Sequence, residues 1–545
     1  MQQVFALFLI SVIHSSRCDL CKICECSSSG DLIEYDCGGK LAQDSDDFEL
    51  LSFILENPPN KLILSNNWIN DTSLERIKYL TGLNVLVLSH NNITKIDPGI
   101  FESLTKLRML DLSWNNIKNF DIQALAKGRS LEYLDLGHNK IESINGSLTT
   151  PSPALNGLSL SNNIVKELPN NFTNNFPKLS TLDLSNNSFT SFEHYPSNID
   201  GLKSLNLEYN YLNSTIIQAN IRELRMGYNE LTSLPTNLTV ESLSIENNQI
   251  QEIHHDERLF STLKYLNISG NSLSTISNFS FPMLKTLDIS NNIFVSMPEN
   301  LMSLNFPSLE TLVVNENPIK ELKFFNELNL QNFIMKNTTL LNAIYDDALE
   351  KLKGRNGDCM NITISWNKNL KTFDEDSIRE LDICYLDISE NGLTRMSQKL
   401  EKVLNGTLPK YGVNLQGNPF ICDCKSEWML ENLVPKLYAL NPDLLIDLKC
   451  ASPKKLLDQR MVHWMKWKGQ VFCDDDLNRN EFSRLEVFEG NDHFFHRKNT
   501  ITLKSGSGML LIVISAAVSV LLLVITGIVI SHKLAVKKRR SNRRF

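Results

Sequence analysis

An asparagine recurs every 24 residues in the first half of the chain, and each time it ends the same phrase. The phrase is Leu-x-x-Leu-x-Leu-x-x-Asn-x-Ile/Leu, as in Leu107 to Ile117. Its alternating leucines place one face of a short strand inward. Because so short a strand cannot fold alone, stacked copies are predicted to form a parallel sheet over one continuous apolar core. The asparagines in this register are Asn67, Asn91, Asn115, Asn139, Asn163 and Asn187.

Beyond Asn187 the phrase continues with uneven spacing. Thr338 stands where an asparagine is expected, and the next asparagine comes late, after the insertion-like segment KLKGRNGD at 351–358. A buried asparagine must satisfy both its carbonyl and its NH2 group, and a ladder of neighbouring turn backbones can do so. The spacing predicts about sixteen repeats over residues 51–420. The later asparagines in register are Asn210, Asn229, Asn248, Asn271, Asn292, Asn317, Asn367, Asn391 and Asn418.

The two ends of the chain predict a secreted and membrane-anchored protein. Residues 1–17 contain an apolar run followed by small side chains, which is typical of a secretory signal peptide. Residues 509–530 carry no charge and exceed the roughly 20 residues that a helix needs to cross a bilayer. The basic tail, residues 531–545, has seven basic residues and no acidic one, which predicts a cytosolic tail and an extracellular N-terminus. Residues 474–508 are predicted to form a juxtamembrane stalk.

The charge balance disfavours a nucleic-acid partner. The net charge of the chain is -8, and because the tail contributes +7, the remainder carries -15. An ectodomain this acidic repels nucleic acids and heparin-like chains. We therefore expect no nucleic-acid binding.

Cysteines cluster on both sides of the repeats. Small caps over the ends of a repeat core cannot build a core of their own, so disulfide-bonded caps are predicted at residues 18–50 and 421–473. The spacing of Cys21 and Cys24 also fits half of a zinc site, but no matching pair follows, which favours disulfides. Spacing alone does not decide the pairing. The cap cysteines are Cys21, Cys24, Cys26, Cys37, Cys422, Cys424, Cys450 and Cys473.

Three cysteines remain outside these two groups. Cys359 and Cys384 are 25 residues apart, about one repeat, so their strands are candidates for neighbours at the ~4.8 Å sheet spacing, and a disulfide between them is a candidate pairing. The repeat register, however, points Cys359 inward and Cys384 outward. Cys18 is either unpaired or an intermolecular link.

Twelve Asn-x-Ser/Thr sequences agree with an extracellular location. Asn267 and Asn361 fall at outward strand positions, so glycans there would obstruct the concave face of the C-terminal half. The N-terminal and central repeats would stay open. The twelve candidate glycosylation sites are Asn70, Asn92, Asn145, Asn171, Asn186, Asn213, Asn237, Asn267, Asn278, Asn337, Asn361 and Asn405.

The signal peptide, cysteine-rich caps, repeats, single span and short tail together resemble the type I leucine-rich-repeat membrane proteins. The ectodomain is similar to those of Toll-like receptors, and the overall plan is similar to platelet glycoprotein V. The resemblance implies an α/β leucine-rich-repeat solenoid, a horseshoe with a parallel concave sheet, disulfide caps and one transmembrane helix. It also implies that in each cap the first cysteine pairs with the third and the second with the fourth. No Toll/interleukin-receptor domain follows the span, so direct adaptor recruitment is not expected.

The outward positions of successive strands predict the ligand-binding face. Aromatic and arginine side chains dominate protein interfaces, and a parallel sheet aligns them in columns. The alternative is that such strands carry aspartate by family habit and that the aromatic rings only cover the sheet. The candidate residues, in the third, fourth, seventh and eighth repeats, are Arg108, Asp111, Trp114, Tyr133, Asp135, His138, Tyr209, Arg225 and Tyr228.

No nucleophile elbow, phosphate loop or HExxH motif occurs, so the chain is predicted to be non-enzymatic, without a cofactor or metal. The favoured function is a cell-surface receptor or co-receptor for protein or microbial ligands, for example in innate immunity, without a signalling domain of its own. A cell-cell adhesion molecule and a ligand-sequestering surface protein are the alternatives. The expected partners are an extracellular protein or microbial ligand and a membrane co-receptor, and the sequence leaves a dimer open.

Overall fold

The computed structural model describes the repeats and parts of the regions that flank them. The described residues are 21, 23–29, 32–40, 54, 58–97, 99–169, 172–192, 201–214, 220–236, 238–404 and 408–466. The predicted signal peptide, Cys18, Cys473, the stalk, the transmembrane span and the basic tail lie outside them, as do Asn171, Asn237 and Asn405. No helix within the described ranges combines the length and apolar composition that a bilayer crossing requires.

One parallel sheet runs through the repeats. Among the described residues it has 18 strands, and only the first, Glu25–Ser29, is antiparallel to its neighbour. In chain order the other strands are Leu32–Asp36, Lys61–Ile63, Val85–Val87, Met109–Asp111, Tyr133–Asp135, Gly157–Ser159, Thr181–Asp183, Ser204–Asn206, Asn220–Arg225, Thr239–Ser244, Tyr265–Asn267, Thr286–Asp288, Thr311–Val313, Asn332–Lys336, Met360–Ser365, Ile383–Asp387 and Val413–Asn414.

The register of the sheet follows the leucine period. Leu86 aligns with Leu110, and Leu110 aligns with Leu134 in the next strand. All three side chains are fully buried. Equivalent residues from successive strands therefore stack into one apolar core, which confirms the predicted solenoid of parallel strands. The predicted horseshoe curvature stays a prediction.

The buried asparagines form the expected hydrogen-bond ladder. Asn115 Nδ2 donates to the carbonyls of Leu88, Leu112 and Ser113 at 2.9, 3.1 and 3.1 Å. Its Oδ1 accepts from the Ile93 backbone N–H at 3.0 Å. One side chain thus satisfies backbone groups in two neighbouring repeats. Leu88 and Ile93 belong to the preceding repeat, and Leu112 and Ser113 belong to the same repeat as Asn115.

Short helices and strands lie outside the main sheet. The α-helices are Asp71–Leu74, Glu257–Thr262, Lys399–Val403 and Val434–Leu440, and a π-helical turn is Met429–Leu433. The 3-10 helices are Ile77–Tyr79, Ile122–Leu125, Phe172–Asn175, Arg355–Gly357, Glu375–Ile378, Cys424–Ser426, Pro442–Leu445, Lys454–Leu456 and Met461–Lys466. Paired short strands are Asn119–Asp121 with Ser143–Asn145, Leu328–Leu330 with Leu352–Gly354, Ala343–Ile344 with Thr372–Phe373, and Phe420–Ile421 with Cys450–Ser452.

Disulfides flank the repeats on both sides. Cys21 is bonded to Cys26 and Cys24 to Cys37, which is the first-to-third and second-to-fourth order that the resemblance implies. On the C-terminal side Cys422 is bonded to Cys450. The remaining implied pair, Cys424 with Cys473, involves a residue outside the described ranges.

The irregular segment at 351–358 is tied to the solenoid. Leu352–Gly354 pairs with a neighbouring short strand, and Arg355 Nη1 donates to the Leu309 carbonyl at 2.9 Å. Cys359 and Cys384 are bonded, with their Cα atoms 5.1 Å apart. The predicted inward orientation of Cys359 is wrong: both cysteines are half-buried, because a register shift next to Met360 leaves one extra residue on the partner strand.

Candidate functional site

The side of the main sheet that faces away from the core, here called the strand face, carries most of the candidate residues. Asp111, Tyr133, Asp135 and Arg225 lie within strands, as predicted. Arg108 lies just before its strand and forms an ion pair with Glu132 at 2.5 Å. This exposed pair is worth little to stability, since water screens both charges.

Four candidate residues lie beyond the strands and not within them. Trp114, His138, Tyr209 and Tyr228 each precede a ladder asparagine and have positive φ angles, between 53° and 57°. The prediction that they occupy outward strand positions is therefore wrong. Each turn needs a left-handed residue so that the next asparagine can point inward, and asparagine or glycine is the usual choice. Bulky rings there cost backbone strain, which is often retained at binding sites.

The rings stack along the edge of the strand face. Trp114 lies between His90 and His138, with centroid distances of 4.9 and 3.8 Å and interplanar angles of 13° and 10°. Tyr209 stacks on Tyr228 at 4.1 Å. Because the same position recurs every repeat at the strand spacing, neighbouring rings meet face to face. Trp114 is 48% exposed although both its faces are covered, so it presents its ring edge to solvent.

A depression of about 610 Å³ opens beside the stacked rings of Trp114 and His138. Its lining includes Trp114, Tyr133, Asp135, His138 and Arg225, so the structure brings five of the nine candidates together. That volume falls within the range of small-ligand pockets.

A glycine in the strand Gly157–Ser159 sets the position of the Tyr133 ring, which lines the depression. A Cβ atom at Gly157 would lie 2.6 Å from Tyr133 Cδ2 and 3.1 Å from Thr181 Oγ1. The missing side chain at residue 157 therefore leaves room for the Tyr133 ring to lie over this strand.

Carboxylates give the depression its electrostatic character. Burial raises the pKa of the Asp135 carboxyl above its usual range, and the negative charges of Asp111 and Asp183 raise it further. Burial also raises the pKa of Glu208, helped by the charge of Glu246. Burial of these carboxylates removes water from them, which disfavours their charged form. Too few positive side chains lie nearby to offset this cost.

The positive side chain in the lining, Arg225, already forms an ion pair with Glu223. The Arg225 guanidinium bonds Glu223 through Nε at 2.7 Å, and this hydrogen bond raises the pKa of Arg225. Within the described ranges, no cluster of histidine, cysteine and acidic side chains has the geometry of a metal site. The surface is suited to recognition through charge and shape.

The glycosylation candidates divide by exposure. Asn70, Asn92, Asn145, Asn186, Asn213, Asn278 and Asn337 are exposed. Asn267 and Asn361 are half-buried on the strand face, and Asn361 Nδ2 donates to Asn332 Oδ1 at 2.9 Å. Their glycosylation stays a prediction.

Comparison with known families identifies the repeat unit. Residues 60–117 match the family described as Leucine rich repeat, and shorter stretches at 129–143, 178–199 and 262–282 match related repeat families. The repeats of this chain are leucine-rich repeats. This result confirms the repeat class that the asparagine period predicts.

Two similar proteins share part of the repeat region. Leucine-rich repeats and immunoglobulin-like domains protein 2 of Mus musculus is 35% identical over 134 residues, which is 22% of this chain and 12% of that protein. Its Homo sapiens counterpart is 32% identical over 114 residues, which is 19% of this chain and 10% of that protein. These matches span only a small part of the length of both relatives.

Solved structures with similar folds are more distant in sequence. The Toll–Spatzle complex of Drosophila has 16% identity and a TM-score of 0.40, covering 76% of this chain and 74% of that chain. The repeat protein LIC12759 of Leptospira interrogans has 21% identity and a TM-score of 0.42, covering 71% and 97%.

Sequence reasoning missed several residues in and around the depression. His90 lies 24 residues before Trp114, so the period itself contained the signal for this stacking partner. The same period contained the signal for Asp183, which lies 48 residues, or two repeats, after Asp135. Gly157 gave no signal, because the prediction rested on aromatic and charged side chains.

Proposed function

We propose that this protein is a cell-surface receptor or co-receptor that binds a protein ligand through the strand face between Trp114 and Tyr228. The observation that carries the proposal is the depression beside the stacked rings of Trp114 and His138. It combines half-exposed rings with the carboxylates of Asp135 and Asp183. Aromatic residues beside polar groups are the composition that protein interfaces favour.

The rigid backbone supports a recognition role. The candidate side chains stand on paired strands, and Asn115 and its equivalents fix the turns that follow. A surface held in this way loses little entropy on binding, so more of its contact energy becomes affinity. The disulfides agree with an extracellular location, where such bonds persist.

Site-specific photocrosslinking on the full-length chain tests this proposal. A benzophenone amino acid replaces Tyr133 on the strand face, or Tyr345, which is 52% exposed and lies beyond the strand face. We expect Tyr133 to yield a discrete crosslinked polypeptide on exposure to extracellular fluid, and Tyr345 to yield none. No adduct at Tyr133, or the same adducts at both positions, would contradict the proposal.

A further inference from the structure

The central part of the strand face is strongly acidic. Outer charges at its edge largely cancel, because Arg108 pairs with Glu132, and Arg222 and Lys264 both lie near Glu241. The interior of the face has no such balance. Six half-buried carboxylates lie there with one guanidinium, that of Arg225, among them; the six are Asp111, Asp135, Asp183, Glu208, Glu223 and Glu246.

Backbone turns hold these carboxylates in place. Asp111 Oδ1 accepts from the Ser113 N–H at 2.9 Å, Asp135 Oδ1 from the Gly137 N–H at 2.8 Å, and Asp183 Oδ1 from the Ser185 N–H at 2.9 Å. Each leaves its second oxygen without a bond to these turns. The acids are therefore preorganised acceptors in a row, which is favourable for charge-assisted hydrogen bonds.

An apolar strip adjoins the acidic surface on its N-terminal side. Val85 aligns with Met109, and Ile63 aligns with Val87. All four side chains are half-buried, and the strip ends at Tyr133, which aligns with Met109. A ligand that covers both regions needs an apolar part next to a positive part.

Resting on the proposed function, we propose that the occupant is a segment of a partner protein that places arginine or lysine side chains into the acidic depression and an apolar side chain on the Ile63–Met109 strip. Charge complementarity selects this class of partner, since a cation offsets the desolvation of the carboxylates. A stacked sugar or nucleobase fits poorly, because imidazoles already cover both faces of Trp114.

Labelled tetra-arginine is the probe, and tetra-citrulline is its uncharged isostere. Binding to the purified full-length chain is measured by fluorescence anisotropy. We expect tetra-arginine to bind about tenfold more tightly than tetra-citrulline, from one or two desolvated charge pairs. We expect Asp135→Asn with Glu208→Gln to weaken tetra-arginine binding about fivefold or more. Both substitutions remove a charge but keep a side-chain oxygen acceptor, and neither creates an Asn-x-Ser/Thr sequence, so folding should persist, as thermal melting can verify.

Asp387→Asn is the matched control. Asp387 accepts from the Ser389 N–H at 3.0 Å in the same way, but it lies in the strand Ile383–Asp387, away from the acidic cluster. This variant should bind tetra-arginine like the wild type. Equal weakening by the control would show attraction to overall negative charge and would overturn the inference. Equal binding of tetra-citrulline and tetra-arginine would also overturn the inference. Tighter tetra-arginine binding after deletion of residues 533–545 would overturn it too, because the basic tail would then be the occupant.

The two proposals fail in different ways. If tetra-arginine does not distinguish these variants while Tyr133 still crosslinks a protein, the partner is recognised by other chemistry and only the basic-segment inference fails. If Tyr133 crosslinks nothing, the proposed receptor face itself is wrong.

Discussion

At the residue scale, a single asparagine side chain links two repeats. The Asn115 amide makes three donor bonds and accepts one, and it is 6% exposed. Thr338, which replaces an asparagine, cannot repeat this pattern, and among the described atoms its buried hydroxyl lacks a partner. The ladder is therefore a structural device, and its residues need not touch a ligand.

Asn115→Ala should destabilise the protein without altering the strand face. Loss of the amide leaves buried backbone groups unsatisfied, which costs roughly 1–3 kcal/mol. We expect a lower midpoint in thermal unfolding and unchanged tetra-arginine binding. Asn116→Ala is the control: Asn116 bonds Asn92 Oδ1 and Lys140 on the surface, so its loss should cost no more than about 0.5 kcal/mol. Equal destabilisation by both would contradict a special role for the ladder.

Asp135 should cost stability at neutral pH. Its pKa is raised by burial and by Asp111 and Asp183, so the folded state disfavours the ionised form. Stability linked to this group is present below the unfolded pKa of about 3.8 and is lost as pH rises through the raised folded pKa. Asp135→Asn should therefore raise the melting temperature at pH 7, with little difference from wild type near pH 3. A lower melting temperature at pH 7 would show that the carboxylate is satisfied.

At the element scale, the period in the sequence predicts which row of the sheet each residue occupies. The period predicts the asparagine ladder and the leucine core, because both depend only on the spacing of residues along the chain. It does not predict side-chain packing across rows: Tyr133 leans over Gly157, and Trp114 has both faces covered. The inward prediction for Cys359 failed because a bulge breaks the period locally. Strand ends were also missed, since the strand Met109–Asp111 stops three residues before Trp114.

Gly157→Ala should displace the Tyr133 ring and so change the shape of the depression. The added methyl group meets the Tyr133 ring at 2.6 Å, and the half-exposed ring must move away because the backbone is fixed by strands on both sides. We expect at least about fivefold weaker tetra-arginine binding with less than about 1 kcal/mol change in stability, since a flexible surface side chain absorbs the clash. At Gly82 the nearest atom is 3.9 Å away, so Gly82→Ala is the control. Unchanged binding by Gly157→Ala would place the ligand elsewhere.

The two N-terminal disulfides should contribute unequally. Cys24 and Cys37 are buried and 13 residues apart, whereas Cys21 and Cys26 are exposed and only 5 apart. A longer closed loop restricts the unfolded chain more, by about 3 kcal/mol for 15 residues. Replacing Cys24 and Cys37 with serine should therefore lower the melting temperature more than replacing Cys21 and Cys26. The reverse order would contradict this account.

At the scale of the whole molecule, the strand face changes character along the solenoid. An apolar strip near Ile63 and Val87 precedes the acidic and aromatic centre, and mixed polar residues follow. The sequence predicts the aromatic and charged columns, because the repeat length aligns them. The shape of the depression also depends on the Tyr133 ring, which lies over Gly157, and on ring stacking. Both are properties of side-chain packing and not of repeat spacing.

The account depends most on whether the central strand face binds a partner. Once the partner that crosslinks from Tyr133 is in hand, its affinity for Trp114→Asn with Tyr133→Ser should be measured against the wild type. Asparagine already occupies the equivalent left-handed position in other repeats, for example at residue 162, so the turn should be preserved. Hot-spot losses of about 2 kcal/mol or more predict at least a thirtyfold weaker affinity.

The matched control is Trp366→Asn, which removes a tryptophan of similar exposure, 50%, from the same left-handed position eleven repeats later. We expect this variant to bind the partner like the wild type, whereas the double variant should nearly lose binding. Undiminished affinity of the double variant, or an equal loss in the control, would show that the ligand does not bind between Trp114 and Tyr228.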